Sequence, residues 1–245
     1  MNCSSNYDAG APIIVDLFCG AGGLSLGFCQ EGFRIYFAND IEKCCIETYQ
    51  YNHPEVPNEN IILGDINSIL DKFHEITRFN RTDVIVGGPP CQGFSVANRQ
   101  RIIDDPRNKL YKSYVRAVSI ARPRFFVMEN VKRMFSVSSQ VIEDFNNIGY
   151  KVECRILNAN DYGVPQNRER LIFIGSREDD DISSIFDEIE AVGKSRNRYV
   201  LKDALEGLRP LKALTTKNTT ETDTDSSGRF IELSSGLTNE YNGGR

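Results

Sequence analysis

The chain has 245 residues, 40% hydrophobic and 26% charged, with a formal net charge of -5 at pH 7, a length that supports one substantial core with at most a small appendage. No apolar run reaches the roughly 18 residues of a membrane span. The opening MNCSSNYDAGAP has neither the basic start nor the apolar stretch of a signal peptide, so the expectation is an intracellular protein without membrane attachment.

In chain order, short apolar runs at residues 12–18 (PIIVDLF), 34–40 (RIYFAND), 60–63 (NIIL), 83–88 (DVIVGG) and 124–130 (RFFVMEN) predict buried strands. Amphipathic segments at 24–31, 41–51, 66–73, 110–121 and 137–148 predict helices between them. Strand and helix in alternation imply parallel strands with crossovers, hence an α/β, doubly wound, Rossmann-like sheet. Runs at 151–159 (KVECRILNA) and 170–176 (RLIFIGS) complete it as a hairpin-like pair. Beyond Arg177, DISSIFDEIEAVG predicts a helix, and the polar, low-complexity TTKNTTETDTDSSG at 215–228 predicts disorder. The expected organisation is a tail over 1–11, one α/β domain over 12–177 and a partly disordered extension over 178–245.

Seven cysteines without a Cys-x-x-Cys pair, and two histidines (His53 and His74), argue against a disulfide framework and against any metal site. Cys29, Cys44, Cys45 and Cys154 read as buried structural thiols. The net negative charge argues against a simple nucleic-acid binder, but its distribution does not: from Arg99 to Arg133 ten lysines and arginines face only Asp104, Asp105 and Glu129. Such a stretch is either a solvated helix face or a phosphate-contacting surface.

Ligands of doubly wound sheets collect at the carboxyl ends of the strands. The first such end reads DLFCGAGGLSLGF, where Gly20, Gly22 and Gly23 permit a tight turn into a helix with free N–H groups. Ser25 stands where a dinucleotide fingerprint needs its third glycine, which weakens a nicotinamide reading. Asp40 ends the second strand, 18 residues after Gly22, near the offset at which an acid accepts from ribose hydroxyls, and Asp65 ends the third. Two acids beside a glycine turn suit a nucleoside bearing a neutral or positive group.

The fourth strand runs into GGPPCQGFSVANRQR. Flanking prolines fix the backbone around Cys91, and basic residues follow, a setting suited to an exposed nucleophilic thiol. Glu129, at the end of the fifth strand, can serve as an acid, a helix cap or an ion-pair partner. Arg168 and Arg170 alternate along an extended segment and so project to one side.

Taken together, DLFCGAGG, ND before a helix, GDI, GGPPCQGFS, MENV and NANDYGVPQNRER resemble, in order, the cytosine-5 DNA methyltransferase family, whose members use S-adenosylmethionine. The resemblance implies that Phe18 stacks on the adenine, the Gly20 to Gly23 turn takes the methionine portion, Asp40 holds the ribose, and Asp65 with Ile66 frames the base, with Ile41 and Pro90 lining the same pocket. It implies that Cys91 adds to cytosine C6, that Glu129 supports N3, and that Arg168 and Arg170 bind O2. Double-stranded DNA is then the partner, with the base flipped out, Gln92, Ser95, Arg99 and Arg107 in contact with it, and residues 92–109 as a closing loop.

The motifs end near Arg177, where the family normally continues into a target recognition region and a late motif. Either a truncated chain or one subunit of a split restriction–modification enzyme is expected, with a second polypeptide supplying recognition and docking on the first helix at Leu24, Leu26 and Phe28. Two other readings stay open: a tRNA cytosine-5 methyltransferase, or a non-catalytic cofactor-binding subunit. The expected location is bacterial cytoplasm, at the nucleoid, or a eukaryotic nucleus.

Overall fold

The run IIVDL, apolar except for Asp16, forms an interior strand, β1 (Ile13–Leu17), of a sheet with seven strands among the described residues. A computed structural model describes residues 10–78, 82–90 and 109–206. The other strands are β2 (Arg34–Asp40), β3 (Ile61–Leu63), β4 (Val84–Gly87), β5 (Phe125–Val131), β6 (Lys151–Asn158) and β7 (Glu169–Ser176), in the order β3-β2-β1-β4-β5-β7-β6. The first five are parallel, and β7 pairs antiparallel with both β5 and β6. The expected hairpin-like pair is therefore present, with its second strand inserted next to β5.

Helices α1 (Gly23–Gln30), α2 (Lys43–Asn52), α3 (Ile66–Leu70), α4 (Phe73–Arg78), α5 (Lys109–Ala121), α6 (Ser138–Asn146), α7 (Ile182–Ser195) and α8 (Leu201–Leu205) account for the helical segments. The single helix expected over 66–73 is two, separated by a turn at Asp71 and Lys72 in which Lys72 N–H bonds Ile69 O at 3.0 Å. α8 is too short to give a periodic signal.

Alternate residues of β1 serve opposite faces. Val15 and Leu17 join a core with Phe73, Tyr114, Phe126 and Phe145, and Ile14 joins one with Cys29, Ile46 and Tyr49. Burial on both sides is what a parallel sheet requires. Strand order reverses between β1 and β4, so the crevice outside their carboxyl ends is the topological switch point.

The chain divides into two compact units, Met1–Asn158 with Glu169–Val192, and Ala159–Arg168 with Gly193–Arg245. In the first unit α7, up to Val192, packs its Ile182 and Phe186 on Ile174 of the sheet. Within the second unit, Asn160 Nδ2 donates to Tyr199 O at 2.9 Å and Arg198 pairs with Asp161. The low-complexity segment at 215–228 lies outside the described residues.

Asp16 sits on the α1 side of β1, 1% exposed. Ser25 Oγ donates to its Oδ2 at 2.7 Å and lies 2.7 Å from the Tyr49 hydroxyl, while Oδ1 has no hydrogen-bond partner. Burial, opposed in part by the Ser25 bond and reinforced by the charge of Asp40, pushes the Asp16 carboxyl up to about 7.

Two expectations follow. A Cβ on Gly175 would lie 2.1 Å from Phe126 Cε1, and that ring stacks on Phe145 at 3.9 Å and cannot retreat. Gly175→Ala should cost about 1–3 kcal/mol in urea unfolding, whereas Gly27→Ala, facing open space on α1, should gain roughly 0.5–1 kcal/mol. For Asp16, the unfolded carboxyl ionises near ~3.9 but the folded one near about 7. Between those values the folded state binds more protons, so stability falls as pH rises. Asp16→Asn removes that slope, and between pH 5 and pH 7.5 the variant should gain on the wild type by about 1–3 kcal/mol in unfolding free energy. Parallel pH profiles for the two proteins would contradict the buried, protonated carboxyl.

Candidate active site

Immediately after β1 the backbone turns through left-handed conformations at Phe18 (φ 57), Gly20 (φ 54) and Gly22 (φ 89). Glycine adopts these freely, but Phe18 does so at a cost of about 1–3 kcal/mol, a strain typical of functional turns. The turn is strapped to β2: Cys19 N–H bonds Asn39 O at 3.0 Å and Gly20 N–H bonds Asp40 Oδ2 at 2.9 Å. Asp40 Oδ1 takes the Glu42 N–H at 2.9 Å. Each carboxylate oxygen has a further lone pair, so Asp40 holds the turn and can still accept from a ligand hydroxyl.

Asp65 caps α3, its Oδ1 accepting from Asn67 N at 2.7 Å. The cap reading of a strand-end acid applies here, with Oδ2 outside that bond. Buried Asn39 ties the two acid-bearing ends together, donating from Nδ2 to Ile62 O and Gly64 O, both at 2.9 Å. Beside these acids, Ile41 is 62% and Leu63 49% exposed. Ile66 instead lies in the core, so Leu63, an apolar residue not singled out in the sequence, is the exposed one next to Asp65. Cβ atoms on Gly20 or Gly23 would meet nothing within 4 Å. An open glycine turn, a half-buried aromatic at Phe18, two carboxylates and exposed aliphatic side chains fit a nucleoside with a positive centre, as S-adenosylmethionine is.

The next strand end is adjacent. Leu17 pairs in register with Gly87, and Gly87 with Met128. A Cβ on Gly87 would fall 2.4 Å from Leu17 O, so only glycine lets β1 and β4 close here. Gly88, Pro89 and exposed Pro90 follow; buried Asn130 braces them by donating from Nδ2 to Pro89 O at 2.9 Å. Glu129 Oε1 pairs with Arg170 Nε at 2.7 Å, and its Oε2 would lie 3.0 Å from a Cβ on Gly88. The ion-pair reading of Glu129 is therefore present, and the carboxyl lies beside Gly88. Arg168, whose carbonyl accepts from Ala159 N at 3.0 Å, belongs to the second unit. Cys91, Gln92, Ser95, Arg99 and Arg107 lie outside the described residues, as does the expected closing loop apart from Lys109.

Geometry divides the basic stretch. Lys112 pairs with Asp144, and Arg116 with Asp71. Arg124 precedes β5, at the edge opposite Glu129, and pairs with Glu178 and Asp180. Lys132 and Arg133, just after β5, are exposed on the Glu129 side, with Lys132 pairing Glu169 at 2.8 Å. On α1, Leu26 is exposed while Leu24 and Phe28 are partly buried against the core.

The cysteines depart from expectation in part. Cys29 is buried and disulfide-bonded rather than a free thiol. Cys44 is exposed and Cys45 and Cys154 are partly buried, because α2 turns Cys44 outward and the β6 edge stays half open. Burial and the nearby Asp40 charge push Cys45 up to about 11, which makes it a poor nucleophile.

The family model for C-5 cytosine-specific DNA methylases matches residues 13–242, well past Arg177, where the short motifs end. The chain is 42% identical over 177 residues to the Type II methyltransferase M1.HphI of Haemophilus parahaemolyticus, covering 69% of this chain and 47% of that protein. It is 39% identical over 233 residues to M.FnuDI of Fusobacterium nucleatum, covering 93% of this chain and 64% of that protein. It thus spans about half to two thirds of these relatives. A solved prophage-encoded protein of E. coli, described as a DNA modification methyltransferase, superposes with a TM-score of 0.65 at 30% identity over 88% of this chain and 62% of that one. The Dnmt2 methyltransferase of S. pombe shares the fold, with a TM-score of 0.62 at 19% identity, 83% of this chain and 63% of that one. With the glycine turn, the paired acids and the Pro-Pro loop meeting at adjacent strand ends, the chain belongs to the C-5 cytosine-specific DNA methylase family.

Proposed function

We propose that the chain transfers a methyl group to C5 of cytosine in DNA, as part of restriction–modification in a bacterial cytoplasm. The observation that supports this most is the register Leu17–Gly87–Met128, which sets the glycine turn, the loop into Cys91 and Glu129 on three neighbouring strand ends. Phe18, the Gly20 to Gly23 turn, Asp40, Ile41, Asp65 and Pro90 would hold S-adenosylmethionine, with exposed Leu63 added to that set. When bound, it supplies a methyl group on a sulfonium, whose sulfur departs with the bonding pair.

Cytosine C5 is too weak a nucleophile to take that methyl unaided. The Cys91 thiolate forms a bond to C6, and the ring electrons move toward C5, which makes it enamine-like. Glu129 supports the charge by proton donation at N3. Arg170 orients it: holding Oε1 leaves Oε2, the oxygen facing Gly88, for the base. Arg170 binds O2 as a charge-assisted donor. Once C5 is methylated, water takes its proton, the sulfur–C6 bond breaks with its electron pair leaving on sulfur, and N3 returns its proton to Glu129, which restores the aromatic ring, the thiolate and the acid. Because C5 is inaccessible inside a duplex, the base leaves the stack first. Lys132 and Arg133 are suited to hold phosphate on the Glu129 side, a contribution that weakens with salt.

Methyl transfer to duplex DNA and to tRNA, by the chain alone and in lysate of its source cells, tests the reading. Transfer to duplex DNA supports it, transfer confined to tRNA contradicts it, and activity that requires lysate supports the expected second polypeptide. Cys91→Ser should reduce turnover to below roughly a few per cent while leaving cofactor binding nearly unchanged, because the serine oxygen is a far weaker nucleophile of similar size. Duplex DNA with 5-fluorocytosine should trap the active protein covalently, since fluorine cannot leave as a proton does. Asp40→Ala should weaken S-adenosylmethionine binding by about 1–3 kcal/mol in calorimetry, and unchanged affinity in the folded variant would move the pocket elsewhere.

A further inference from the structure

The glycine turn is held from a second side, by residues outside the motifs quoted above. At the carboxyl end of α2, Asn52 Nδ2 donates to Ala21 O at 2.8 Å, and His53 Nε2 lies 3.0 Å from Gly22 O. The other ring nitrogen of His53 meets Glu55 Oε1 at 2.9 Å. The His53 and Glu55 side chains are 1% and 6% exposed, and the imidazole lies against Tyr49 with ring centroids 4.5 Å apart. Contact is so close that a Cβ on Gly22 would fall 2.3 Å from His53 Nε2.

Proton counting fixes the state of this pair. Gly22 O can only accept, so Nε2 must carry hydrogen. The second bond needs one more proton between Nδ1 and the carboxylate, on either side. Imidazolium with carboxylate and imidazole with carboxylic acid both satisfy it, and both leave the buried pair with no net charge, which is what burial demands. Without an acceptor at position 55 that can also supply a proton, the ring is free to place its one hydrogen on Nδ1 and turn a lone pair on Gly22 O.

The consequence for the turn follows from peptide planarity. In a trans peptide the C=O of one residue and the N–H of the next point in opposite directions. Gly22 C=O takes the Leu26 N–H of α1 at 2.8 Å and meets His53 Nε2 at 3.0 Å, and the two contacts together aim the Gly23 N–H away from α2. Gly23 is the first helical residue of α1, so its N–H has no carbonyl of its own helix to bind, and it belongs to the electropositive end that favours an anion.

We propose that Asn52, His53 and Glu55 form a positioning clamp for cofactor binding. They draw the Ala21 and Gly22 carbonyls back so that the turn presents N–H groups, rather than carbonyl oxygens, to the carboxylate of an amino-acid-bearing nucleoside. The clamp rests on the S-adenosylmethionine reading of the turn, and it assigns three positioning residues to that reading.

The test is calorimetry of S-adenosylmethionine binding to the full chain, with thermal unfolding in parallel. Wild-type protein is measured first: no binding would overturn the cofactor reading and the clamp with it. Given wild-type binding, Glu55→Ala should weaken it tenfold or more, while Glu55→Gln, whose amide can donate to Nδ1 and keep hydrogen on Nε2, should stay within threefold of wild type. A role in folding alone would not separate these variants by affinity. Asn52→Ala removes an exposed side chain, leaves the core intact and should weaken binding threefold or more, which decides the matter if Glu55→Ala does not fold. Wild-type affinity in Glu55→Ala or in Asn52→Ala, or equal losses in the two Glu55 variants, would overturn the clamp while leaving the cofactor reading in place.

Discussion

The bond from Gly20 N–H to Asp40 Oδ2, 2.9 Å long, is the contact through which the local turn and the sheet constrain each other. A parallel sheet brings β1 and β2 side by side but does not fix what the chain does once it leaves β1. This bond and its neighbour from Cys19 N to Asn39 O fix it, and they hold Phe18 in a backbone conformation it would not otherwise keep. Asp40 can do so because its other oxygen is occupied by Glu42 N–H, which immobilises the carboxylate. In the proposed function the ligand-facing acid and the structural acid are one residue.

Around that contact the polar burial is layered. Beneath the turn, desolvation holds Asp16 neutral against the opposing bond from Ser25, so below about pH 7 no uncompensated charge lies under the turn. Behind it, His53 Nδ1 and Glu55 Oε1 pair at 2.9 Å in a buried position. Asp40 and Asp65 stand at the strand ends, where a cationic ligand would meet them. On the Glu129 side Asn130 plays the equivalent bracing part, holding Pro89 O.

Most of this architecture was legible in the sequence because it is written in local patterns. Apolar runs bounded by glycine and aspartate predict the strands to within a residue or two, and strand–helix alternation predicts parallel pairing. Glycine spacing and strand-end acids predict where a ligand lies. What the sequence hides is long-range. The insertion of β7 between β5 and β6 depends on antiparallel pairing that no local pattern encodes. Asn52, His53 and Glu55 look like an ordinary helix end, and their role exists only because α2 packs against a turn some 30 residues earlier in the chain. The ion pairs of Lys112 and Arg116 are hidden for the same reason, since a run of basic residues does not reveal which acids from other helices meet it. Asp16 reads as one polar residue in an apolar strand; a buried acid flanked by a serine one helical turn into α1 was the available signal.

Hydrogen–deuterium exchange of the full chain, with and without S-adenosylmethionine, tests the central claim most directly. The account predicts slowed exchange in peptides covering residues 18–24, 40–43 and 63–67, together with the β4 end at 87–90, and little change in β6 or α6. Cofactor-dependent protection confined to other segments, with these strand ends unaffected, would contradict it.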